Sequence, residues 1–243
     1  MKGQTVIVTG GASGLGKAVC QGVAAEGATA VVLDLNAETA GAVVDEIAAA
    51  GGSAFAVIGD ITTRESAAAL FAEAAGKAGR IHGLVNCAGV YPRKPILEIT
   101  DADWDFSFSV NVKGLYHVSV AAIEHMKAAG GGRIVNVASI DAFKAHPKNM
   151  HYAAMKAAVV SLTKSLGIAF CADGILINGV GPAAIATEKA KAAGFLPELI
   201  AQAPIGRVAE PADIADVILF LLSEKNRYMV GETVAVSGGY FIP

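Results

Sequence analysis

Tyr152 and Lys156 are four residues apart, so a helix would place a phenol and an ammonium group on the same face. A tyrosine with an ordinary pKa of about 10 is a poor base at neutral pH, but nearby positive charge favours the phenolate. Such a phenolate could take the proton of an alcohol while a hydride leaves the same carbon. The pair alone decides little, because the two residues could equally be an exposed pair on a helix surface.

Two further polar residues strengthen the case for a catalytic site. Ser139 follows a predicted strand, residues 133–138, and precedes Tyr152 by 13 residues. Ligands of parallel sheets bind at the carboxyl ends of the strands, so Ser139 and Tyr152 are predicted to meet at that edge. Asn111 lies inside a predicted helical region, 101–129, where asparagine is a poor helix former. The alternative for Asn111 is a surface or kink residue.

A glycine-rich turn follows the first predicted strand, residues 5–8. Gly10, Gly14 and Gly16 permit a tight turn, a close approach of the backbone to a pyrophosphate, and close packing of helix on strand. The helix that follows would offer unpaired N–H groups and its positive dipole end to the phosphates. The pattern could also be a turn that binds nothing, but its place between a strand and a helix favours a dinucleotide.

Asp34 ends the second predicted strand, 20 residues after Gly14. An acid at this position can hydrogen-bond the adenosine ribose, and its charge would repel a 2′-phosphate. No lysine or arginine lies between Gly10 and Gly16 to offset that charge. The sequence therefore predicts NAD rather than NADP, although Asp34 could also be only a strand-end turn residue.

Strand-like and helix-like segments alternate along the whole chain, and the strands are short and apolar on both faces. This pattern is typical of a parallel sheet covered by helices on both sides. We expect one α/β domain over residues 1–243, a doubly wound Rossmann-type sheet of seven strands, with a loop at about 184–204 over the substrate pocket. Predicted strands cover about residues 5–8, 29–33, 54–58, 133–138, 175–180 and 233–236, with another ending at Asn86, and predicted helices cover about 14–26, 36–50, 64–78, 101–129, 152–171 and 211–222.

The composition excludes several other classes of protein. Hydrophobic residues make up 53% and charged residues 17%, which excludes a disordered chain. The net charge of −3 gives no basic field for nucleic acid or anionic lipid. We find no uninterrupted apolar run near the roughly 18 residues of a membrane helix, and no signal peptide. The 3 cysteines have no paired spacing, which suggests a reducing, cytoplasmic setting, and with the 5 histidines they form no metal motif.

Together these features resemble the short-chain dehydrogenase/reductase family, in its compact branch. The resemblance covers essentially the whole chain. The motifs that carry it are Thr9-Gly10-(x)3-Gly14-x-Gly16, Asp60-Ile61, Asn86-Cys87-Ala88-Gly89, the group Asn111, Ser139, Tyr152 and Lys156, and the segment Pro182-Ala183-Ala184-Ile185-Ala186-Thr187. Cys87 stands where the family has a second asparagine.

The resemblance implies a role for each matched residue. Tyr152 would be the general acid and base, and Ser139 would hold the substrate oxygen. Lys156 would bind the nicotinamide ribose and lower the pKa of Tyr152, and Asn111 would anchor a water in a proton relay. The implied cofactor residues are Gly10, Ser13, Gly14, Leu15, Gly16, Asp34, Asp60, Ile61, Asn86, Ala88, Gly89, Tyr152, Lys156, Pro182, Ile185 and Thr187.

Three positions depart from the family pattern. Ala183 replaces a usual glycine, Leu176 a usual arginine and Ser237 a usual aspartate. The first could alter the backbone under the nicotinamide, and the other two are expected to affect packing or subunit contacts. None of the three removes a catalytic group.

The predicted function is the NAD-dependent oxidation of a small polar secondary alcohol (a polyol, hydroxy acid or cyclic alcohol) or the reverse reduction. Arg93, Asp141 and His146 could supply polar contacts to such a substrate, or could face solvent. One alternative is a 3-oxoacyl-thioester reductase, although reductases of that kind often use NADPH and carry arginine at the position of Ser13. A remote alternative is a catalytically silent NAD-binding sensor. The resemblance also implies a homotetramer.

Overall fold

The computed structural model describes residues 1–192, 194 and 196–242. Within the predicted loop at 184–204, Ala193 and Phe195 therefore lie outside the described residues. The strands are β1 (Thr5–Thr9), β2 (Thr29–Asp34), β3 (Ser53–Ile58), β4 (Gly83–Asn86), β5 (Gly132–Val137), β6 (Ile175–Pro182) and β7 (Thr233–Val236). The helices are α1 (Gly14–Ala25), α2 (Ala37–Ala49), α3 (Arg64–Ala78), α4 (Asp101–Phe108), α5 (Leu115–Ala128), α6 (Met150–Phe170), α7 (Glu188–Ala192), α8 (Leu196–Gln202) and α9 (Pro211–Leu222).

All seven strands form one parallel sheet in the order β3-β2-β1-β4-β5-β6-β7. The predicted doubly wound Rossmann-type fold is confirmed. The strand order reverses between β1 and β4, and a ligand crevice forms at such a switch point outside the carboxyl ends of the strands. The glycine-rich turn after β1 and the segment after β4 therefore face each other across this crevice.

Hydrophobic side chains fill a separate core on each face of the sheet. One core packs α1, α2 and α9 against the strands, and the other packs α3 and α5. Local signals set the helix starts, since the Asn36 side chain accepts from Thr39 N over 3.0 Å and the Thr63 side chain accepts from Ser66 N over 3.2 Å. These two cores hold the strand ends, and hence the crevice, in a fixed arrangement.

The predicted helical region at 101–129 is observed, but it is not uniform. A π-helical segment, Ser109–Gly114, joins α4 to α5. Gly114 allows close packing here, because a Cβ on it would stand 2.9 Å from Ile61 Cγ1. π-Helical turns inside α-helices occur frequently at functional sites.

The helix Met150–Asp173 is long and apolar enough, by length and composition alone, to cross a membrane. Lys156 and Lys164 interrupt this helix, so it is not the uninterrupted apolar run that the sequence lacks, although its mean hydropathy over 18 residues is high. This helix packs on β6, where a Cβ on Gly167 would stand 3.2 Å from the Ile177 carbonyl oxygen. It belongs to the layer that covers the sheet, although some of its apolar side chains, such as Ile168, are exposed.

Candidate active site

Ser139, Tyr152 and Lys156 meet at the carboxyl end of β5, as the sequence predicts. Ser139 lies close enough to Tyr152 to lower its pKa, and both line the same groove. Lys156 Nζ donates to the Val137 carbonyl oxygen over 2.7 Å and lies 5.6 Å from the centroid of the Tyr152 ring. The first turns of α6 thus deliver a phenol and an ammonium group to the end of the neighbouring strand.

The electrostatics of Tyr152 differ from the expectation that Lys156 lowers its pKa. Burial raises the pKa of Tyr152, and the carboxylate of Asp141 raises it further, while the hydrogen bond from Ser139 opposes both. Burial also lowers the pKa of Lys156, to about 8. The Lys156 ammonium is directed at Val137, so the chain alone keeps the phenol protonated. Further positive charge at the site is needed to favour the phenolate.

Asn111 occupies the π-helical segment and is a buried residue of the site rather than a surface residue. Its Nδ2 donates to the carbonyl oxygens of Ser107 and Val90, each over 3.0 Å, and its Oδ1 accepts from Val90 N over 3.1 Å. A Cβ on Gly89 would stand 2.8 Å from Asn111 Oδ1 and 3.6 Å from Lys156 Nζ. Gly89 therefore lets the asparagine and the lysine approach each other beside the strand ends.

A groove of about 620 Å³ crosses the carboxyl edge of the sheet and reaches Ser139, Tyr152 and Lys156. Every predicted cofactor residue except Asn86 lines it. The backbone shape of the groove requires glycine, because Gly10 has a φ of +67° and its Cβ would stand 2.8 Å from Ala88 Cα. A Cβ on Gly16 would stand only 2.0 Å from the Gly10 carbonyl oxygen. The groove thus fits a dinucleotide whose pyrophosphate lies against bare backbone at the start of α1.

Asp34 lines this groove and also fixes the glycine-rich turn. Its Oδ2 accepts from Ala12 N over 3.1 Å, and its Oδ1 accepts from Asn36 N over 3.2 Å. A carboxylate has further lone pairs to accept ribose hydroxyls. The adenosine end of the groove therefore carries a negative charge that is held in place by backbone.

Lys17 also lines the groove, one residue after the last glycine of the glycine-rich turn. Its Nζ forms an ion pair with Glu46 at 2.8 Å, and Gln21 Nε2 donates to the same carboxylate over 3.1 Å. The only sequence signal for this arrangement is a lysine on the first turn of α1. The ion pair offsets the positive charge that Lys17 would otherwise offer to a phosphate.

Asn86 does not line the groove, which differs from the role implied for it. Its Nδ2 donates to Ser119 Oγ and to Asn136 Oδ1, both over 2.9 Å, and Asn136 Nδ2 donates to Thr163 Oγ1 over 2.9 Å. This buried network ties β4 and β5 to the helices behind them. The Asn86 side chain therefore supports the strand ends from inside the protein.

A second cavity, of about 390 Å³, adjoins the groove, and both are lined by Ser139 and Tyr152. The cavity also has Arg93, Asp141 and His146 in its lining, as the substrate prediction requires. His146 Nε2 lies 3.7 Å from Asp141 Oδ2. The predicted loop at 184–204 contributes Thr187, Ala190, Leu199 and Ala203 to the wall, and it contains the short helices α7 and α8.

Tyr240 and its partner Gln202 were not anticipated at the cavity from the sequence. Lys144 Nζ lies 4.0 Å from the centroid of the Tyr240 ring, and Tyr240 donates its hydroxyl to Gln202 Oε1 over 2.7 Å. Tyr91 lines both the groove and the cavity, with its ring centroid 6.4 Å from that of Tyr152. The residues around Tyr240 come from the far end of the chain, and no local pattern signals that they return to the site.

The three departures from the family pattern have plain structural outcomes. Ala183 N donates to the Val236 carbonyl oxygen over 3.1 Å, so the backbone there is fixed by β7. Leu176 lies in β6, opposite Arg133. Ser237 Oγ donates to the Phe241 carbonyl oxygen over 2.7 Å and so holds the last residues of the chain. Within residues 1–192, 194 and 196–242, no group of three or more His, Cys, Asp or Glu side chains is placed to hold a metal ion.

A family profile described as enoyl-(acyl carrier protein) reductase matches residues 10–241. The chain is 37% identical to the cis-4-hydroxycyclohexanecarboxylate dehydrogenase of Sinomonas cyclohexanicum, with 98% of this chain and 96% of the relative covered. It is 32% identical to the 3-oxoacyl-[acyl-carrier-protein] reductase of Thermotoga maritima, with 100% and 99% covered. It superposes with a TM-score of 0.93 and 35% identity on a candidate NAD(P)-dependent gluconate 5-dehydrogenase from Beutenbergia cavernae, with 99% and 97% covered, which has NADP bound at low occupancy.

Proposed function

The chain belongs to the short-chain dehydrogenase/reductase family of oxidoreductases, and we propose that it is an NAD(H)-dependent dehydrogenase of a small, polar secondary alcohol, in the EC 1.1.1 class. The observation that carries the proposal is the meeting of Ser139, Tyr152 and Lys156 where the groove joins the cavity. A nicotinamide cofactor, when bound, supplies the acceptor or donor of the hydride. Small-molecule binding is expected, and no nucleic acid or membrane partner is proposed.

The protein's own residues move and hold the proton. The Ser139 hydroxyl orients the alcohol oxygen towards Tyr152, and the Tyr152 oxygen takes the O–H proton during oxidation and returns it during reduction. Lys156 would hold the cofactor ribose, and Asn111 would anchor a water that passes the proton to solvent. Because burial and Asp141 raise the pKa of Tyr152, proton removal is expected to become faster as the pH rises.

Asp34 and Lys17 support NAD over NADP. The Asp34 carboxylate would repel a 2′-phosphate, and the Lys17 ammonium that could attract one is paired with Glu46. The NADP in the related Beutenbergia cavernae structure makes this a necessary test. We expect kcat/KM to favour NAD⁺ by at least about tenfold. Asp34→Ala should narrow that ratio, and an equal or better use of NADP⁺ by the wild type would overturn the assignment.

The substrate class is proposed from the polar lining of the cavity. Arg93, Asp141 and His146 lie beside the catalytic pair and suit an oxygenated substrate such as a polyol, a hydroxy acid or a cyclic alcohol. A screen of NAD⁺ reduction over these classes, with simple apolar alcohols for comparison, tests the proposal. A site built to bind a hydroxyl group should discriminate strongly against substrates without it.

The second candidate function is reduction of a 3-oxoacyl thioester. The similarity of the chain to the 3-oxoacyl-[acyl-carrier-protein] reductase of Thermotoga maritima supports this candidate. The structure offers Ser13 at the groove, where such reductases often carry arginine. If long-chain 3-oxoacyl thioesters with NADPH give a higher kcat/KM than every polar alcohol, the thioester-reductase function replaces the proposed alcohol dehydrogenase function. The remote alternative, a silent NAD-binding sensor, would show cofactor binding with no turnover in either screen.

We also propose a cytoplasmic homotetramer. The α5 and α6 layer carries exposed apolar side chains, among them Tyr116, Met150 and Ile168, which association would cover. Light scattering at micromolar concentration should give about four times the chain mass of 24.6 kDa, and a monomeric mass would exclude the assembly.

The cysteines fit a reducing compartment, since Cys20, Cys87 and Cys171 are all free thiols and burial raises the pKa of Cys87 to about 12.

A further inference from the structure

Three polar side chains form a cluster beside the catalytic pair. Asp141, His146 and Asn149 line the same cavity as Ser139 and Tyr152. The Asp141 backbone N–H donates to Ser139 Oγ over 3.1 Å, and the Asn149 backbone N–H donates to the His146 carbonyl oxygen over 3.1 Å. The cluster is therefore fixed to the catalytic serine at one end and to the start of α6 at the other.

Asn149 is the N-cap residue of α6, but its side chain makes no hydrogen bond to the first turn. Asparagine is favoured at N-caps because its side-chain oxygen accepts a backbone N–H, as Asn36 does from Thr39 at the start of α2. Asn149 is only 4% exposed, and its Oδ1 has no hydrogen-bond partner within the described part of the chain. An amide oxygen that is buried without a partner is rare in proteins, so this one calls for a group that the described part of the chain does not supply.

His146 presents a second buried atom of the same kind. Its Nδ1 has no hydrogen-bond partner among the described residues, while its Nε2 faces Asp141 at 3.7 Å. A hydroxyl group both donates and accepts, so it can pair with an amide oxygen and with an imidazole nitrogen in either tautomer. A carbonyl or an ether oxygen could not donate to Asn149 Oδ1.

Asp141 sets the charge of the cluster. Its side chain is 17% exposed, and its negative charge reaches the Tyr152 phenol. An anionic group next to the reacting carbon would be repelled there. Lys144, Arg93 and Arg207 also line the cavity, with Arg207 paired to Asp213, but Asp141 is the charged residue that acts on the Tyr152 phenol.

We propose that Asp141, His146 and Asn149 form a hydroxyl subsite, so that the substrate is an uncharged secondary alcohol with a further hydroxyl group, as in a polyol or cyclic diol, rather than a hydroxy acid. The inference rests on the proposed dehydrogenase function. It deepens that function by naming the group that must accompany the reacting alcohol, and it adds Asn149 as a specificity-determining residue.

Three substrates built on one ring test the subsite: cyclohexane-1,2-diol, cyclohexanol and 2-hydroxycyclohexanecarboxylate, each with NAD⁺. Wild-type kcat/KM for the diol should exceed that for the other two by about tenfold or more. Asn149→Ala should lower kcat/KM for the diol by about tenfold and change the value for cyclohexanol by less than about twofold. The diol should also raise the wild-type Tm more than cyclohexanol does, and Asn149→Ala should abolish that difference.

Asn36→Ala is the matched control. It removes the same kind of side chain from the start of α2, where the asparagine accepts a backbone N–H from Thr39. This variant should lower Tm and leave the ratio of diol to cyclohexanol activity unchanged. Asn149→Ala should leave the ligand-free Tm unchanged, because its side chain makes no hydrogen bond to the protein. A fall in Tm with an unchanged substrate ratio for Asn149→Ala would overturn the subsite.

Asp141→Asn tests the charge separately. It should raise kcat/KM for the hydroxy acid relative to the diol, and it should move the pH profile of oxidation to lower pH, since one cause of the raised Tyr152 pKa is removed. If the three substrates have equal kcat/KM values, and if Asn149→Ala and Asp141→Asn change those values equally, the subsite proposal is wrong but the dehydrogenase function is not. If none is oxidised with NAD⁺ or NADP⁺, the proposed function fails, and an absent diol effect on Tm then overturns the subsite as well.

Discussion

The cofactor groove is shaped by backbone, whereas the substrate cavity is shaped by side chains from separate loops. In the groove, Gly10 and Gly16 stand where any Cβ would meet other main-chain atoms. In the cavity, Asp141, Tyr240 and Leu199 come from three segments that are far apart in the chain. The groove can therefore change little without losing its ligand, while the cavity can be rebuilt one loop at a time.

Tyr152 lines both regions, so changing it should separate binding from chemistry most sharply. Tyr152→Phe removes only the phenol oxygen and should lower turnover by about 10²–10⁴-fold, the usual contribution of a positioned acid or base. The Kd for NADH, measured by fluorescence titration, should change little. Tyr228→Phe is the control, because Tyr228 is 99% exposed and should behave as wild type. Retention of more than about a tenth of the activity by Tyr152→Phe would contradict the role of the phenol.

Gly16→Ala tests the claim that backbone shapes the groove. Its Cβ would stand 2.0 Å from the Gly10 carbonyl oxygen, so the turn must move. If the cost of moving the turn, about 1–3 kcal/mol, is expressed in binding, the Kd for NADH should rise by about fivefold or more. Gly41→Ala is the matched change in another helix, where a Cβ would have no neighbour within 4 Å. An unchanged Kd for Gly16→Ala would mean that side chains, rather than backbone, set the shape of the groove.

Burial of the Lys156 ammonium group in the groove lowers the stability of the fold. Its folded pKa is about 8, against 10.5 for an ordinary lysine. Below pH 8 both folded and unfolded chains carry the charge, and its burial destabilises the fold. Between pH 8 and 10.5 the folded chain loses the proton while the unfolded chain keeps it, so wild-type stability rises with pH through that window.

Lys156→Met should therefore raise the free energy of unfolding at pH 7 by about 1–2 kcal/mol while abolishing activity. The gain is smaller than the pKa shift alone would give, because the Val137 carbonyl oxygen loses its donor. The advantage should shrink towards pH 10.5, as measured by urea unfolding across the pH range. Lys164→Met, on the exposed side of the same helix, should show no such dependence. A destabilised Lys156→Met variant at pH 7 would contradict the argument.

The groove was predictable because its signals are local. Glycines at fixed spacing between a strand and a helix, and an acid at the end of the next strand, set backbone geometry within a few residues. The side-chain partners of Asn86 were not predictable, because its neighbours in sequence do not show that Ser119 and Asn136 accept from its amide. The raised pKa of Tyr152 was missed for a similar reason, since both its burial, which is the larger cause, and the nearness of Asp141 depend on the folded chain.

The cavity was predictable only in part. Asp141 and His146 could be proposed because they follow a catalytic residue in the chain. Asn149 was missed because an asparagine before a helix normally indicates a cap, and only the structure shows that its side chain does not serve as one. Tyr240 and Gln202 meet through contacts between distant segments, which no periodicity or spacing records.

The π-helical segment Ser109–Gly114 makes the site sensitive to chain length as well as to residue type. A π turn holds one more residue than the α-helical repeat accommodates. Deleting a residue here would remove the extra residue, let α4 run into α5 as regular α-helix and change the path of the backbone around Asn111. The Asn111 amide would then leave the Val90 backbone that it bonds at both ends. Libraries that exchange residues in this segment should therefore yield many more active variants than libraries that insert or delete a single codon.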